Sequence, residues 1–172
     1  MTIEEQRAYD HWLQQARPLL EAKQWGEALK GVPTLTLDPA QPQPLTRPIA
    51  ECTVAIVTSA GLTAPGQPPM DGPHIEGDYS IRLLDTSLPT QSLSTWHTHF
   101  DVAPAQEDFN IVYPIDRLKE LAAEGVIGRV AAHGVSFMGY FTNAFRMRDE
   151  VAPQVVGALK ADRVDAALLV PV

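Results

Sequence analysis

The sequence has very little cysteine, with one residue, Cys52, in a chain of 172. A single cysteine excludes an internal disulfide framework and a metal site built from cysteines alone, and it agrees with a reducing compartment. Cys52 opens the apolar run 52–57, and a cysteine inside a buried strand is normally an inert small hydrophobic residue. We therefore interpret Cys52 as a core residue and not as a nucleophile.

Basic residues and long apolar segments are also scarce. Thirteen Lys and Arg stand against 21 Asp and Glu, which gives a formal net charge of −8. No basic stripe alternates with aromatic residues, so we expect no nucleic acid and no anionic membrane surface as a partner. No apolar run approaches the ~20 residues of a membrane span, and the first residues lack the pattern of a signal peptide. These features predict a cytoplasmic protein.

Two families of enzyme motif are missing as well. The sequence has neither G-x-G-x-x-G nor a P-loop, so it offers no recognisable cradle for a dinucleotide or a nucleoside triphosphate. The segment Gly134–Met138 resembles the nucleophile elbow of serine hydrolases, but Met138 stands where that motif needs glycine. Residues 1–172 therefore contain no convincing nucleophile.

The chain divides into an arm, a linker and a body. Residues 1–31 are predicted to form a helical arm, interrupted near Pro18, whose amphipathic face packs or dimerises. Residues 32–48 contain five prolines, at 33, 39, 42, 44 and 48, which predicts an extended and irregular linker. Residues 49–172 are predicted to form an α/β domain.

Apolar runs and helical patterns alternate in this body. Strands are predicted, in chain order, at 53–57, 92–96, 110–113, 129–132 and 166–172. Helices are predicted at 115–124 and 153–161, and the long loop 64–78 is of a kind that often acts as a lid. This alternation favours a mostly parallel sheet flanked by helices, with layers like those of Rossmann-like and flavodoxin-like folds. The last strand is continuously apolar and is predicted to be buried.

Polar residues gather where the predicted strands end. The carboxyl ends of parallel strands share one edge of a sheet, and ligands bind along that edge in open α/β folds. We therefore expect a functional site there, close to Ser59, His97, His99, Ser136 and Val172.

The segment His97-Thr98-His99 brings two imidazoles to this edge. An extended chain places both imidazoles on one face, and Asp101 continues the same period. The three side chains could bind a metal ion, although zinc needs three or four such ligands. They could instead bind a polar substrate or transfer protons, because histidine titrates near neutral pH. A solvated, structural histidine pair is the third alternative, and all three stay open at this point.

Several segments, taken in order, carry a family resemblance. They are Val54–Gly61, Gly77–Arg82, His97–Asp101, Asn110–Leu118 and Ser136–Tyr140, to which Asp116–Gly128 and Val164–Val172 add. Together they resemble the selenoprotein B family of glycine/sarcosine/betaine and D-proline reductases over about residues 48–172. Several motifs in a common order are far more specific than any one of them.

The resemblance implies a catalytic group that residues 1–172 do not contain. In that family, the strand similar to the one ending at Val172 leads directly into a selenocysteine or a cysteine. The chain is then expected to be the N-terminal part of a selenocysteine-dependent reductase, ending where a UGA codon is read as a stop. No cofactor is expected within the chain itself.

The implied reaction is reductive cleavage of a C–N bond in a small amino acid or amine. A selenolate attacks the carbon that bears the activated amine, and the selenide is resolved to an Se–S bond that a thiol system reduces. A selenolate suits this step because its low pKa keeps it ionised. The expected partners are the substrate, other reductase subunits, a thiol reductant and further copies of the chain. The substrate stays open, since residues 64–78 and 133–135 depart from the family pattern.

The expected roles of individual residues follow the sheet edge. The residues expected to act as acid–base or binding groups in catalysis are His97, His99 and Asp101. The residues expected to bind substrate are Ser59, Ala60, Gly61 and Ser136. Two other functions remain: a non-catalytic binding or subunit-interaction module, and a small metal-dependent enzyme that uses His97, His99 and Asp101.

Overall fold

The computed structural model describes residues 1–41 and 43–172, so Pro42 of the predicted linker lies outside the described residues. The helices are α1 (Ile3–Glu21), α2 (Trp25–Ala28), α3 (Ala103–Glu107), α4 (Ile115–Ala123), α5 (Ala144–Arg146) and α6 (Ala152–Ala161). The strands are β1 (Thr53–Thr58), β2 (Leu62–Thr63), β3 (Ile81–Asp85), β4 (Ser94–Thr95), β5 (Arg129–Val130), β6 (His133–Phe137) and β7 (Ala166–Val170). Short 3-10 segments lie at Ile49–Glu51, Thr90–Ser92 and Phe109–Ile111, and a π-helical turn, Met147–Val151, joins α5 to α6.

The main sheet is built around β1. On one side β1 pairs with β5 and β6, and on the other side it pairs with β7 along its length, all in parallel. Strand β3 adds to β6 in the antiparallel sense, and β2 and β4 form a separate antiparallel pair. The prediction of a mostly parallel sheet flanked by helices is confirmed. All six residues of β1 are buried, as its β-branched sequence requires.

The core covers one face of this sheet. Residues from β1 and β3 pack there against α4 and the turn before it, and the buried members include Val54, Ile56, Leu84, Phe109, Ile115 and Leu118. Cys52 is fully buried in the same cluster. Its interpretation as a core residue agrees with this position.

Three local predictions are wrong. Residues 110–113 are not extended, because Asp108 accepts a hydrogen bond from the backbone N–H of Asn110 at 2.9 Å and starts a 3-10 turn. Strands β3 and β6 have no counterpart in the sequence prediction, which ended a strand at residue 132, because the pairing of β3 with β6 is non-local and the exposure of β3 is mixed. Helix α1 continues through Pro18 to Glu21 instead of breaking there. The helices predicted at 115–124 and 153–161 are confirmed.

Strand β7 is parallel, as predicted, but the prediction that it is buried is wrong. The side chain of Leu168 is 44% exposed and that of Leu169 is 69% exposed. The reason is position: within the described residues β7 pairs only with β1, so Ala166 and Val170 at its ends pack against the core, while the three residues between them stay exposed. An apolar sequence shows that a strand is suited to burial, but it does not show which elements will pack against that strand.

The arm packs on the body, which is one of the two predicted alternatives, packing or dimerisation. A capping box formed by Thr2 and Glu5 begins α1, and one face of the helix buries Tyr9, Trp12, Leu13, Ala16 and Leu20. Side chains then fasten the helix to the body at three places. The Tyr9 hydroxyl hydrogen-bonds Thr142 Oγ1 at 2.7 Å, Arg17 pairs with Glu76 at 3.0 Å, and Glu5 pairs with Arg148 at 2.9 Å.

The long loop 64–78 is tied down at several points in this structure. Arg82 donates to the carbonyl oxygens of Pro68 and Pro69 at 3.0 and 3.2 Å, and the Thr98 hydroxyl donates to the carbonyl of Gly72 at 2.9 Å. The Tyr140 hydroxyl donates to the carbonyl of Ile75 at 2.8 Å. In this structure the loop therefore lies between the arm and the sheet edge and contacts both, and its role as a lid stays a prediction. In the described part of the chain, no helix has the length and apolar character needed to cross a membrane.

Candidate functional site

Two turns meet at the carboxyl edge of the sheet. The turn after β1 and the turn after β6 approach so closely that Gly139 N–H donates to the Ser59 carbonyl at 2.8 Å. A Cβ atom on Gly139 would lie 3.0 Å from that carbonyl oxygen, so glycine permits this contact. Gly61 adopts φ +63°, a left-handed conformation that also favours glycine. The small residues identified in the sequence thus allow two strand ends to converge.

Ser59 connects this edge to β7. Its backbone N–H donates to the Val170 carbonyl at 3.2 Å, and its Oγ accepts the backbone N–H of Val172 at 2.8 Å. A cleft of about 470 Å³ opens beside it, lined by Val57, Ser59, Phe137, Gly139, Phe141, Leu169, Val170, Pro171 and Val172. Ser59 is the polar side chain of this otherwise apolar lining.

His97 is held in one tautomer by its own backbone. Its Nδ1 accepts the N–H of His99 at 3.0 Å, so the proton of the neutral ring sits on Nε2. That Nε2 is buried and has no hydrogen-bond partner among the described residues. Burial, with a smaller contribution from the neighbouring His99, lowers the pKa of His97 to about 4. The ring is therefore neutral at physiological pH and offers a donor, not a charge.

His99 belongs to an aromatic cluster. Its ring stacks on Tyr140, with centroids 3.7 Å apart and planes tilted by 12°. Trp25, from α2 in the arm, approaches both rings edge-on, at 5.1 Å from His99 and 5.7 Å from Tyr140. Partial burial lowers the pKa of His99, so this ring is also neutral at physiological pH.

A second and larger cleft lies between the arm and the body at this cluster. Its volume is about 820 Å³, and it is lined by Leu20, Glu21, Lys23, Trp25, Pro73, Ile75, Thr98, His99, Phe100 and Asp101. The lining combines aromatic rings with two carboxylates and one ammonium group. Lys23 adopts φ +57°, which is uncommon for a residue with a side chain, and it ends the turn that leads from α1 to α2. We call this space the arm cleft.

The structure divides the predicted site residues between these places. His99 and Asp101 line the arm cleft, and Ser59 lines the cleft beside β7. Ala60 and Ser136 are fully buried, and the Ser136 hydroxyl accepts the N–H of Leu62 at 2.7 Å. Ala60, Gly61 and Ser136 thus stand behind the surface and support the turn.

Asp101 also makes a local contact, in which its Oδ1 accepts the N–H of Ala103 at 3.1 Å where α3 begins. Within the part of the chain that the structure describes, no three His, Cys, Asp or Glu side chains converge as metal ligands. The alternative of a metal centre at His97, His99 and Asp101 gains no support from this geometry.

Sequence reasoning missed Trp25 and Tyr140 as members of the site. Trp25 is separated from His99 by 74 positions of sequence, and only the packing of the arm brings the two together. Tyr140 could have been found from the sequence, because it is the last residue of the segment 136–140 that carries the family resemblance. The link between the two clefts is also local: Gly139 lines one, and the next residue stacks on His99 of the other.

Comparison with known proteins assigns residues 19–172 to a family model described as Glycine/sarcosine/betaine reductase selenoprotein B (GRDB). The chain is 30% identical over 126 residues to the D-proline reductase subunit gamma of Acetoanaerobium sticklandii, covering 73% of this chain and 51% of that protein. It is 31% identical over 154 residues to the glycine reductase complex component B subunit gamma of Symbiobacterium thermophilum, covering 82% and 34%. It is 34% identical over 119 residues to the sarcosine reductase complex component B subunit beta of Peptoclostridium acidaminophilum, covering 64% and 26%.

The aligned part is a minor share of most of these relatives. The chain spans about half the length of the first and about a third or less of the other two. No solved structure matches the chain.

Proposed function

The chain belongs to the glycine/sarcosine/betaine reductase selenoprotein B family, and from this premise we propose that it is part of a reductase-complex subunit that cleaves a C–N bond of a small amine or amino acid. The observation that carries the proposal is the composition of the arm cleft, with aromatic rings, two carboxylates and one lysine around a space of about 820 Å³. Several relatives are named as subunits of reductase complexes.

The arm cleft suits an amino acid in its zwitterionic form. The rings of Trp25 and Phe100 and the carboxylates of Glu21 and Asp101 attract an ammonium group, through cation–π and ionic contacts. Lys23 on the same lining attracts a carboxylate. The cleft is much larger than glycine or proline, so the substrate would occupy one part of it.

The neutral state of the two histidines supports this assignment. Because burial lowers the pKa of both His97 and His99, neither ring repels an ammonium ion at physiological pH. His99 is fixed by its stack on Tyr140, so it can hydrogen-bond a substrate without rearranging. In this proposal His99 binds and orients the substrate, the buried His97 packs behind it with ring centroids 5.8 Å apart, and Asp101 provides charge.

The reaction needs two electrons and two protons, because the C–N bond is replaced by one C–H and one N–H bond. In the proposal, a dithiol reductant supplies both electrons and becomes a disulfide, and a selenocysteine just after Val172 supplies the nucleophile. Residues of the described chain fit that group in one respect. Ser59 Oγ accepts the Val172 N–H at 2.8 Å and holds the backbone at the edge where β1 also ends.

The genetic part of the proposal is tested by reading the gene beyond codon 172. A UGA codon followed by an in-frame continuation with a nearby cysteine is expected, and incorporation of radioactive selenium into the longer product would support it. Any other codon in that place contradicts the selenocysteine and leaves the binding proposal to be judged separately.

The binding part is tested by calorimetric titration of the purified chain with glycine, betaine and D-proline. Trp25→Ala is expected to weaken the ligand that binds by about tenfold, the magnitude of one desolvated cation–π contact. The matched control is Trp96→Ala, which removes a partly exposed tryptophan whose Nε1 donates to Thr63 outside the arm cleft. Equal losses in the two variants, or no binding of any of the three compounds, would contradict the proposal.

A second function, subunit interaction, is favoured by one specific observation. The apolar strand β7 exposes both of its faces at Leu168 and Leu169. A partner that covers these two side chains would bury apolar surface and so gain free energy from the hydrophobic effect.

A further inference from the structure

We propose that the arm is a hinged cap, held closed by ion pairs, which swings away from the body as a folded unit and so opens the arm cleft. The motivating observation is that the arm has an apolar core of its own, whereas the contacts that hold it to the body are mainly polar. The proposal concerns access to the cleft and does not depend on which ligand the cleft binds.

The apolar cluster of the arm is almost entirely internal. Among the described residues, all of its members lie between Tyr9 and Val32 except Ile75, which the body contributes. The indole N–H of Trp12 donates to the Ala28 carbonyl at 3.1 Å and so ties α1 to α2. The two helices therefore form a unit whose core does not need the body to complete it.

The arm meets the body mainly through charged and hydroxyl groups. Arg148 donates to both carboxylate oxygens of Glu5, at 2.9 and 3.0 Å. Arg17 pairs with Glu76 at 3.0 Å, and the Tyr9 hydroxyl donates to the same carboxylate at 3.2 Å. Ion pairs near the surface contribute little each, because water solvates the separated charges well. Separating these surfaces should therefore cost less free energy than opening an apolar core.

The arm cleft itself separates the arm from the body between these contacts. Residues 20–25 form one wall, and residues 73–75 and 98–101 form the other, around a space of about 820 Å³. Trp25 bridges the space at one point, where it meets His99 and Tyr140 edge-on. Closely packed interiors leave few voids larger than a water molecule. The two walls can therefore part without disrupting a packed core.

The linker leaves the arm free to move. Residues 36–41 and 43–50 are exposed without interruption, and none of the described residues 33–41 and 43–46 has a hydrogen bond to the body. The first ion pair between this stretch and the body is that of Arg47 with Asp165, at 3.4 Å. A proline-rich segment extends by about 3.1 Å per residue, so a linker of this length reaches roughly 40 Å. That reach is enough for the arm to leave the body while it stays attached to the chain.

Opening the cap removes one complete wall of the arm cleft. Glu21, Lys23 and Trp25 move with the arm, whereas His99 and Asp101 stay with the body. A ligand that contacts both walls stabilises the docked arm, because binding and docking are thermodynamically linked. The cap therefore controls entry to the cleft and release from it.

Thiol labelling at different depths of the full chain, without any ligand, tests this movement. Thr142→Cys is nearly isosteric and places a thiol under the arm, at a 3% exposed position that Tyr9 contacts. Ala16→Cys and Ala28→Cys each place a thiol inside the core of the arm, at 3% and 1% exposed positions. The native Cys52 is fully buried and reports unfolding of the body. The thiol of Thr142→Cys should react at least about tenfold faster than the other three, because a local opening needs less free energy than unfolding.

A charge variant on α1 tests whether the arm is what covers position 142. Glu5→Gln removes the ionic partner of Arg148 and keeps the capping box, which glutamine also closes. It should raise the labelling rate of Thr142→Cys about threefold to fivefold and leave that of Cys52 unchanged. Glu4→Gln is the matched control, because it loses the same charge in the same turn and Glu4 has no ion pair within the described part of the chain.

Three outcomes would overturn the proposal. If the thiol of Thr142→Cys reacted no faster than Cys52, the arm would leave the body only when the body unfolds. If the thiols of Ala16→Cys and Ala28→Cys both reacted as fast as that of Thr142→Cys, the arm would unfold and not swing. Equal labelling rates in the Glu5→Gln and Glu4→Gln variants would show that the ion pair with Arg148 does not hold the cap closed.

Discussion

Helix α1 and strand β7 lie at opposite ends of the chain and contact the same body, but side chains hold the first and backbone hydrogen bonds hold the second. Helix α1 buries five residues and adds ion pairs and a hydroxyl contact to the body. Strand β7 has five parallel pairings with β1, yet it leaves its two leucines largely exposed. Amphipathic spacing therefore indicated where α1 is buried, whereas the apolar character of β7 overstated its burial.

The largest effect should come from the buried face of α1. Trp12 is 7% exposed, and its indole N–H donates to the Ala28 carbonyl at 3.1 Å. Trp12→Ala is expected to lower the free energy of unfolding by about 3–5 kcal/mol, measured by urea denaturation. On the same helix, Ile3→Ala at a 72% exposed position should change it by no more than about 0.5 kcal/mol. Similar losses in both variants would mean that the face of α1 that carries Trp12 is not buried.

The next effect is the pH dependence of stability, which should differ between the region around the arm and strand β7. The pKa of His97, near the arm cleft, falls from 6.5 to about 4 on burial, whereas β7 contains no titratable side chain. Because the unfolded chain binds the proton more readily, His97 contributes its full stability above pH 6.5 and loses it as pH falls towards 4. The loss should be about 1–3 kcal/mol, where the upper figure corresponds to the whole change in pKa and the lower one allows for screening by solvent. His97→Gln should flatten the stability curve between pH 6.5 and 4, and Leu169→Ala should leave its shape unchanged.

A smaller effect is expected from one hydroxyl that fastens α1. Tyr9→Phe removes the hydroxyl contacts with Thr142 at 2.7 Å and with the Glu76 carboxylate at 3.2 Å, and it should lower the free energy of unfolding by about 1–2 kcal/mol. Tyr113→Phe is the matched control, because the buried Tyr113 hydroxyl has no hydrogen-bond partner among the described residues. That variant should be neutral or slightly stabilising. A loss of equal size in both would show that the hydroxyl contact of Tyr9 adds nothing.

The smallest effect is expected from the substitution of an exposed side chain of β7. Leu169→Ala should change the free energy of unfolding by no more than about 0.5 kcal/mol, because the side chain is 69% exposed. Leu84→Ala makes the same chemical change at a fully buried position and should cost about 2–5 kcal/mol. If the two variants lost similar stability, the side chain of Leu169 would be buried in the folded chain.

The candidate site shows how much of a tertiary contact a sequence can indicate. The histidines and Asp101 were found because their spacing is local, and the segment 136–140 was found through its family resemblance. The partnership of Trp25 with His99 was not found, since 74 positions separate the two rings. The sequence also did not indicate that Ser136 is buried and does not line a pocket, because the hydrogen bond that its hydroxyl accepts from Leu62 is non-local.

The sequence by itself determined the class of the fold, the helices α4 and α6, the parallel direction of β7 and the family, because each rests on residues close together or on motifs in a common order. Only the tertiary structure decided which apolar surfaces are covered, that Pro18 lies within a helix, and that the arm supplies one wall of the larger cleft. The physical reason is that burial depends on which elements become neighbours. A strand as apolar as β7 has the same sequence at the edge of a sheet as in its centre.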